Sequence, residues 1–409
     1  MTGELAVTIA DVEAAAARLA GEVVRTPTVV SATLSQIHGC TIVCKFENLQ
    51  YTASFKDRGA CNCMLQLDAG QRERGVVAAS AGNHAQAVAH RAARLGIEAT
   101  IVMPTHTPFV KIAGTERLGA KIALEGDSVD AAIACAREKA EAEGLTLVHP
   151  FDDARVIAGQ GTIGLELLAA APDLDVLVVP IGGGGLISGI ATAAKAKKPD
   201  IRIVGVEVSL YPSVQRIRDG LPPPSGGPTI ADGIAVKRPG DLTMPIIDAL
   251  VDDIVLVDEA DVEAAVLQFL EIEKTVVEGA GAAGLAAVAK LPERFRGKRV
   301  GLVLCGGNID PRLLSAVILR GLVTSARLVR LAIAVPDLPG SLARITRTIA
   351  DMGANIVDVH HRREFSGLSV KSTEIEITVE TRDGQHAQRL TSALETIGTS
   401  VRVLASGQF

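Results

Sequence analysis

VLVVPIGGGGLISGIATAA, residues 176–194, decides how the rest of this chain is read. Its first five residues are apolar without alternation. A strand of that kind belongs in a sheet covered by helices on both faces. Gly182, Gly183, Gly184 and Gly185 come after Ile181, and an Ala-rich run with helical periodicity follows. A strand, a glycine turn and a helix start together aim main-chain N–H groups and the positive end of a helix dipole at an anion. The turn lacks the Lys-Ser/Thr ending of a triphosphate loop and the spaced glycines of a dinucleotide fold, so a single phosphate is the modest inference. The bland alternative is a flexible glycine turn.

Outward from this unit, the same rhythm repeats. Candidate strands are TIVCKFE (41–47), VVAAS (76–80), ATIVM (99–103), RIVGVEV (202–208) and RVGLVLC (299–305), with amphipathic helical runs between them. Strand–helix alternation of this kind predicts an α/β fold with parallel-rich sheets and right-handed crossovers. Ligands in such sheets bind beyond the carboxyl ends of the strands, so the loops after strands are where chemistry is expected. LPPPSGGPTIADG (221–233) reads as a loop. From about residue 324 the pattern changes to strand, helix, strand, strand, helix, strand, with EFSGLS (364–369) linking the middle strands. That order is the ferredoxin-like βαββαβ unit.

Three further strand-end loops carry chemical groups. TASFKDRGA (52–60) puts Lys56 at a helix start, where burial can lower an amine's pKa and make it a Schiff-base former. On its own, this lysine is better explained by a solvated helix end. SAGNHAQAVA (80–89) opens a helix, where unpaired N–H groups can hold a carboxylate or phosphate and the Asn83 amide can bond a phenolic oxygen. The plain alternative is an ordinary Ser/Asn cap with His84 as a satisfied helix residue. LCGGNID (304–310) offers Cys305, which has no neighbouring His–Asp pair to make it a nucleophile but can bond a neutral pyridine nitrogen.

Composition narrows the classes. The 409 residues exceed one ordinary core and predict two or three domains. Apolar residues make up 48% and charged residues 22%, which fits folded domains. A net charge of -6 and only 2% aromatics, with no Trp, argue against nucleic acid. No uninterrupted membrane span and no secretory leader are read, so a cytoplasmic setting is expected. The six cysteines are scattered and imply neither a disulfide framework nor a zinc set.

As a set, these four loops, together with RTPTVVSATLS (25–35) and IAGQGTIGLE (157–166), resemble the threonine/serine dehydratase family of fold-type II pyridoxal-phosphate enzymes over about residues 20–322. The tail resembles a single ACT domain. The resemblance implies a tryptophan synthase β-like catalytic region over 1–323, with a smaller subdomain at about 46–149 inserted in a larger one, and an ACT-like regulatory domain over 324–409. It implies pyridoxal 5'-phosphate carried by Lys56, which would also move the Cα proton. Gly182, Gly183, Gly184, Gly185 and Leu186 would cradle the phosphate. Asn83 would reach the 3′-oxygen and Cys305 would face the ring nitrogen. Ser80, Ala81, Gly82, Asn83 and His84 would hold the substrate carboxylate.

The implied reaction converts L-threonine to 2-oxobutanoate and ammonia, and L-serine to pyruvate, with a place in isoleucine biosynthesis. An amino-acid effector at the ACT unit and a homo-oligomer, dimer or tetramer, are expected too. Departures are visible. Ala81 stands where related racemases carry Ser, and a methyl group moves no proton. Glu207 matches one ligand of a cation site known in relatives, but Ser213 stands where its Asp would be, which leaves the metal open. Ala53 and Asp57 replace the Gly and Ile common around the lysine. Two other functions compete: β-replacement, which would need an added nucleophile for product, and a non-enzymatic amino-acid sensor, against which the intact Lys56 speaks.

Overall fold

A computed structural model of the chain describes residues 5–362 and 371–405. The chain falls into two compact units, Met1–Ile309 and Asp310–Phe409, and the helix Pro311–Thr324 counts with the second.

Among the described residues, ten strands build the first unit: β1 (Thr28–Ser31), β2 (Thr41–Lys45), β3 (Val76–Ala79), β4 (Ala99–Met103), β5 (Lys121–Leu124), β6 (Thr146–Leu147), β7 (Val176–Pro180), β8 (Arg202–Val208), β9 (Asp253–Val257) and β10 (Arg299–Val303). Six form a sheet in the order β1-β2-β10-β7-β8-β9, parallel except at the β1–β2 edge. The other four form a parallel sheet, β5-β4-β3-β6. Every residue of β7 and of β3 is buried, as their unbroken apolar runs require. Around the smaller sheet, Met64, Val88, Ile101, Met103 and Val156 close one core.

All six strands that the sequence predicts are present. It does not name β1, β5, β6 and β9. Two of these are half-exposed: β5 has no fully buried residue, and β1 has only one. β6 has two residues. The 221–233 segment is a loop up to a short 3-10 turn, Asp232–Ile234.

The second unit adds β11 (Leu328–Pro336), β12 (Asn355–Arg362), β13 (Ser372–Glu380) and β14 (Ser400–Ala405), with helices Ser341–Asp351 and Gly384–Thr396 between them. The sheet is antiparallel in the order β12-β13-β11-β14, the ferredoxin-like arrangement expected. Ile333, Ile345, Ile349, Ile375, Ile377 and Leu394 sit at its centre with no exposed surface. Each contributes about 1.5–3 kcal/mol by leaving water. Glu376 is buried against the expected alternation on β13, and Arg330 donates to it at 2.7 Å. The EFSGLS link lies outside the described residues.

Candidate active site

The lysine loop and the cysteine loop are stitched into one piece. Phe55 N donates to Cys305 O at 2.9 Å, and Gly307 N to Ala53 O at 2.9 Å. Asn308 Nδ2 donates to Thr52 O at 2.8 Å. Ala53 takes a left-handed φ of 53°, a conformation that costs a non-glycine residue about 1–2 kcal/mol. These cross-links are what hold it there. Lys56 then opens the helix Lys56–Leu65. Its Nζ donates to Pro150 O at 2.6 Å and lies 5.0 Å from the Phe55 ring centroid. Burial pulls this amine down to about 8, against the opposing pull of Cys305 and Glu278. Burial also pushes the Cys305 thiol well up, with Glu278 adding to the effect, so Cys305 stays protonated at neutral pH. It is a hydrogen-bonding thiol and not a thiolate nucleophile.

The glycine turn follows β7 as expected. Gly184 is the N-cap of the helix Gly185–Lys197, and it supplies no side-chain cap to the free N–H groups of the first turn. Gly183 has to be glycine for a steric reason: a Cβ there would fall 2.2 Å from the Phe151 ring. Phe151 is fixed in turn by His149, whose ring meets it edge-on at 4.8 Å. His149 Nδ1 accepts from Asp152 N at 2.8 Å. The segment 149–151 therefore touches both Lys56, through Pro150, and the glycine turn, through Phe151. Sequence reasoning missed it, although it follows β6 and so occupies a strand-end loop. Leu186 is buried, which leaves only its main-chain N–H to serve a ligand.

The third loop follows β3. Gly82 N donates to Ser80 Oγ at 3.1 Å, and Gly82 then caps the helix Asn83–Leu95 with no side-chain bond. Asp68, Ser128 and Asp153, by contrast, each cap their own helices with side-chain oxygens. Uncapped N–H groups beside a buried amine are what an anionic ligand needs. Ser80, Ala81, Gly82 and Asn83 are partly exposed. The His84 side chain is not: it is buried, and its Nε2 donates to Val148 O at 2.7 Å. Burial and then the Lys56 charge hold it down to about 3, so it is neutral and turned inward. Only its main-chain N–H remains for a ligand.

Two residues that the sequence did not single out complete the set. Asn83 Nδ2 donates to Glu278 Oε1 at 2.7 Å, and Asn308 Nδ2 donates to Asn83 Oδ1 at 2.8 Å. Burial pushes Glu278 up to about 7, Asp232 adds to this, and the bond from Asn83 opposes it. Glu278 sits far along the chain in an Ala/Gly-rich stretch, and nothing local marks it.

The residues fit a pyridoxal phosphate. An aldehyde needs an amine with an accessible neutral form, and Lys56 has one. A phosphate needs unblocked N–H donors without side chains in the way, and residues 182–186 provide them. A pyridine nitrogen kept neutral needs a thiol and not a carboxylate, and Cys305 offers a buried, protonated thiol. A cation site is a poorer match. Glu207 accepts from Val214 N at 2.8 Å and Gln215 N at 3.0 Å, so its oxygens are engaged by a helix start. Ser213 Oγ donates to Val236 O. Among the described residues, no group of three or more His, Cys, Asp or Glu side chains gathers to hold a metal.

Comparison with known proteins agrees with the geometry. A family model described as pyridoxal-phosphate dependent enzyme matches residues 19–306, and one described as ACT domain matches residues 329–399. An L-threonine ammonia-lyase of Thermotoga maritima is 44% identical over 400 residues, covering 97% of this chain and 100% of that protein. The solved processed form of threonine deaminase isoform 2 from Solanum lycopersicum superposes with a TM-score of 0.72 at 36% identity, covering 76% of this chain and 91% of that one. Maize serine racemase superposes with a TM-score of 0.71 at 37% identity, covering 78% and 98%.

Proposed function

The chain belongs to the family of pyridoxal-phosphate dependent enzymes and carries a C-terminal ACT domain, and on that premise we propose that it converts L-threonine to 2-oxobutanoate and ammonia, and L-serine to pyruvate and ammonia. The observation that carries this reading is the Lys56 amine, lowered to about 8, in the same unit as two helix starts that no side chain caps.

When bound, pyridoxal phosphate supplies an aldehyde for amines and an electron-accepting ring that acidifies the substrate Cα–H. The chain's own groups do the rest. Lys56 would hold the cofactor, and its amine would take the Cα proton. Gly182 to Leu186 bind the phosphate through main-chain N–H groups. Ser80 to His84 hold the substrate carboxylate at the start of the helix Asn83–Leu95. Asn83 serves the cofactor's phenolic oxygen. Cys305, kept as a thiol, would face the ring nitrogen without protonating it, which would favour loss of the β-hydroxyl. Ala81 carries only a methyl group and offers no second proton carrier, which supports elimination over racemisation despite the likeness to a serine racemase.

The ACT unit is the place for an amino-acid effector, with DLPGSLARI (337–345) as its turn and helix start. The catalytic region is read as 1–323 with its smaller subdomain at about 46–149. All six cysteines are free thiols, which supports a reducing, cytoplasmic setting, and the 2-oxobutanoate product is what supports a place in isoleucine biosynthesis. The test combines borohydride reduction of the holoenzyme, with mass spectrometry to locate the adduct, and an assay for 2-oxo acid. The expected result is cofactor fixed on Lys56 and product from threonine alone. Product only with an added nucleophile would replace this reading with β-replacement, and no adduct would replace it with a sensor.

A further inference from the structure

A carboxylate placed just before a helix ordinarily turns back onto that helix's own N–H groups. Glu278 precedes the helix Gly279–Lys290 and makes no such bond. Its side chain is directed at Asn83 instead and is almost wholly buried. Gly306 packs against the pair so closely that a Cβ there would fall 2.3 Å from Glu278 Oε1 and 3.0 Å from Asn83 Nδ2.

The hydrogen bonds around Asn83 form a directed chain with a main-chain anchor. Thr52 O can only accept, so the Asn308 atom that meets it at 2.8 Å must be the NH2 group. That same NH2 group meets Asn83 at 2.8 Å, so the Asn83 atom there must be the oxygen. The NH2 end of Asn83 then falls on Glu278 at 2.7 Å, where an ionised carboxylate can only accept. Turning the Asn83 amide over would set oxygen against oxygen and NH2 against NH2. One of its two N–H groups is used by Glu278, and the other has no partner among the described residues.

We propose that Glu278 and Asn308 are positioning residues that lock the orientation of the Asn83 amide, so that its second N–H is always the group presented to an oxygen acceptor of the bound cofactor. This rests on the reading of the site as a pyridoxal phosphate seat. It adds two residues to that seat, and it accounts for a buried carboxylate that the elimination chemistry does not use.

The lock has a pH dependence. Glu278 is faced by Asp232 from the 3-10 turn, Lys111 from the helix Phe109–Glu116, Lys56, Cys305 and the main-chain N–H of Asn308. Burial first, then Asp232, lift it to about 7. Above that pH it is a carboxylate and demands the NH2 end. Below it, the acid can also donate, and one of the two constraints loosens.

The experiment measures cofactor dissociation constants, visible spectra and thermal midpoints of the full chain. Asn308→Asp replaces a donor by an acceptor, so both neighbours then demand the NH2 end of Asn83. Cofactor affinity is expected to fall by about tenfold or more, the size of one charge-assisted hydrogen bond, with an altered visible spectrum. In an Asn83→Ala background the same change should cost little more, because the residue it acts through is gone. Glu278→Gln can donate as well as accept, as the protonated acid can, so its spectrum should resemble that of the parent below pH 7 and should no longer change near pH 7. Parent-like affinity and spectrum in Asn308→Asp, or an equal loss with and without Asn83, would overturn the proposal. A parent protein that takes up no cofactor at all would instead bring down the reading of the site beneath it.

Discussion

At the scale of single residues, the role proposed for Lys56 ties the chemistry to the pH range of its amine. An ordinary lysine is almost wholly protonated at pH 8, and Lys56 is about half neutral there because burial disfavours its charge. Cofactor uptake by the apoenzyme should therefore speed up with pH through the neutral range and level off above about 8. A stopped-flow rate that keeps climbing to pH 10 would show an unperturbed amine. Lys56→Ala should lose about 10²–10⁴-fold in turnover, the range for a lost acid–base group, and leave no adduct after borohydride. Lys56, Asn83, Cys305 and the four glycines were singled out from the sequence because each is a chemically distinctive residue in a loop that follows an apolar strand. Glu278 and Asn308 were not, because their importance lies in whom they touch, and Glu278 is 195 positions from its partner Asn83.

At the scale of elements, two kinds of contact place the loops. The glycine turn closes against Phe151, and Gly183→Ala would drive a methyl into that ring. Relieving the overlap costs about 1–3 kcal/mol, so cofactor affinity should drop by roughly tenfold or more while the far-UV circular dichroism stays the same. The lysine helix is held by a buried charge network. Arg58 donates to Glu47 at 2.7 and 2.8 Å and to Glu166 at 2.7 and 2.9 Å. Lys45 donates to Glu166 at 2.5 Å and to Thr26 O at 2.8 Å. Arg58, Lys45 and Glu47 are fully buried. Arg58→Ala should cost about 3–5 kcal/mol in urea denaturation, because it leaves carboxylates buried without their partner. Burial alone would raise Glu166, yet its bonds to Arg58 and Lys45 hold it below the usual carboxylate range. A lowered carboxyl pKa stabilises the fold above the unfolded value and loses that contribution as pH falls through the folded one. Acid unfolding should thus begin at a higher pH in Arg58→Ala than in the parent.

For the whole molecule, the two units have separate cores and separate sheet types, one parallel-rich and one antiparallel. Among the described residues, no helix is long and apolar enough to cross a membrane. A chain ending at Thr324 should keep its cofactor absorbance and some threonine turnover and lose any response to amino-acid effectors. Retained sensitivity in that truncation would place the effector site in the catalytic unit instead. Light scattering of the same two proteins would show whether the ACT unit also carries the assembly into dimers or tetramers.

Local pattern was enough to determine the α/β class, the ferredoxin-like tail and the four strand-end loops. Apolar periodicity and glycine clusters act within a few residues of where they stand. The tertiary structure alone decided which side chains of those loops are used and which are turned away. It sends His84 inward to Val148 and brings Phe151 against Gly183. It turns Glu278 from its own helix to Asn83. Those outcomes depend on packing and desolvation between segments tens to hundreds of residues apart, and the order of residues along one segment does not encode them.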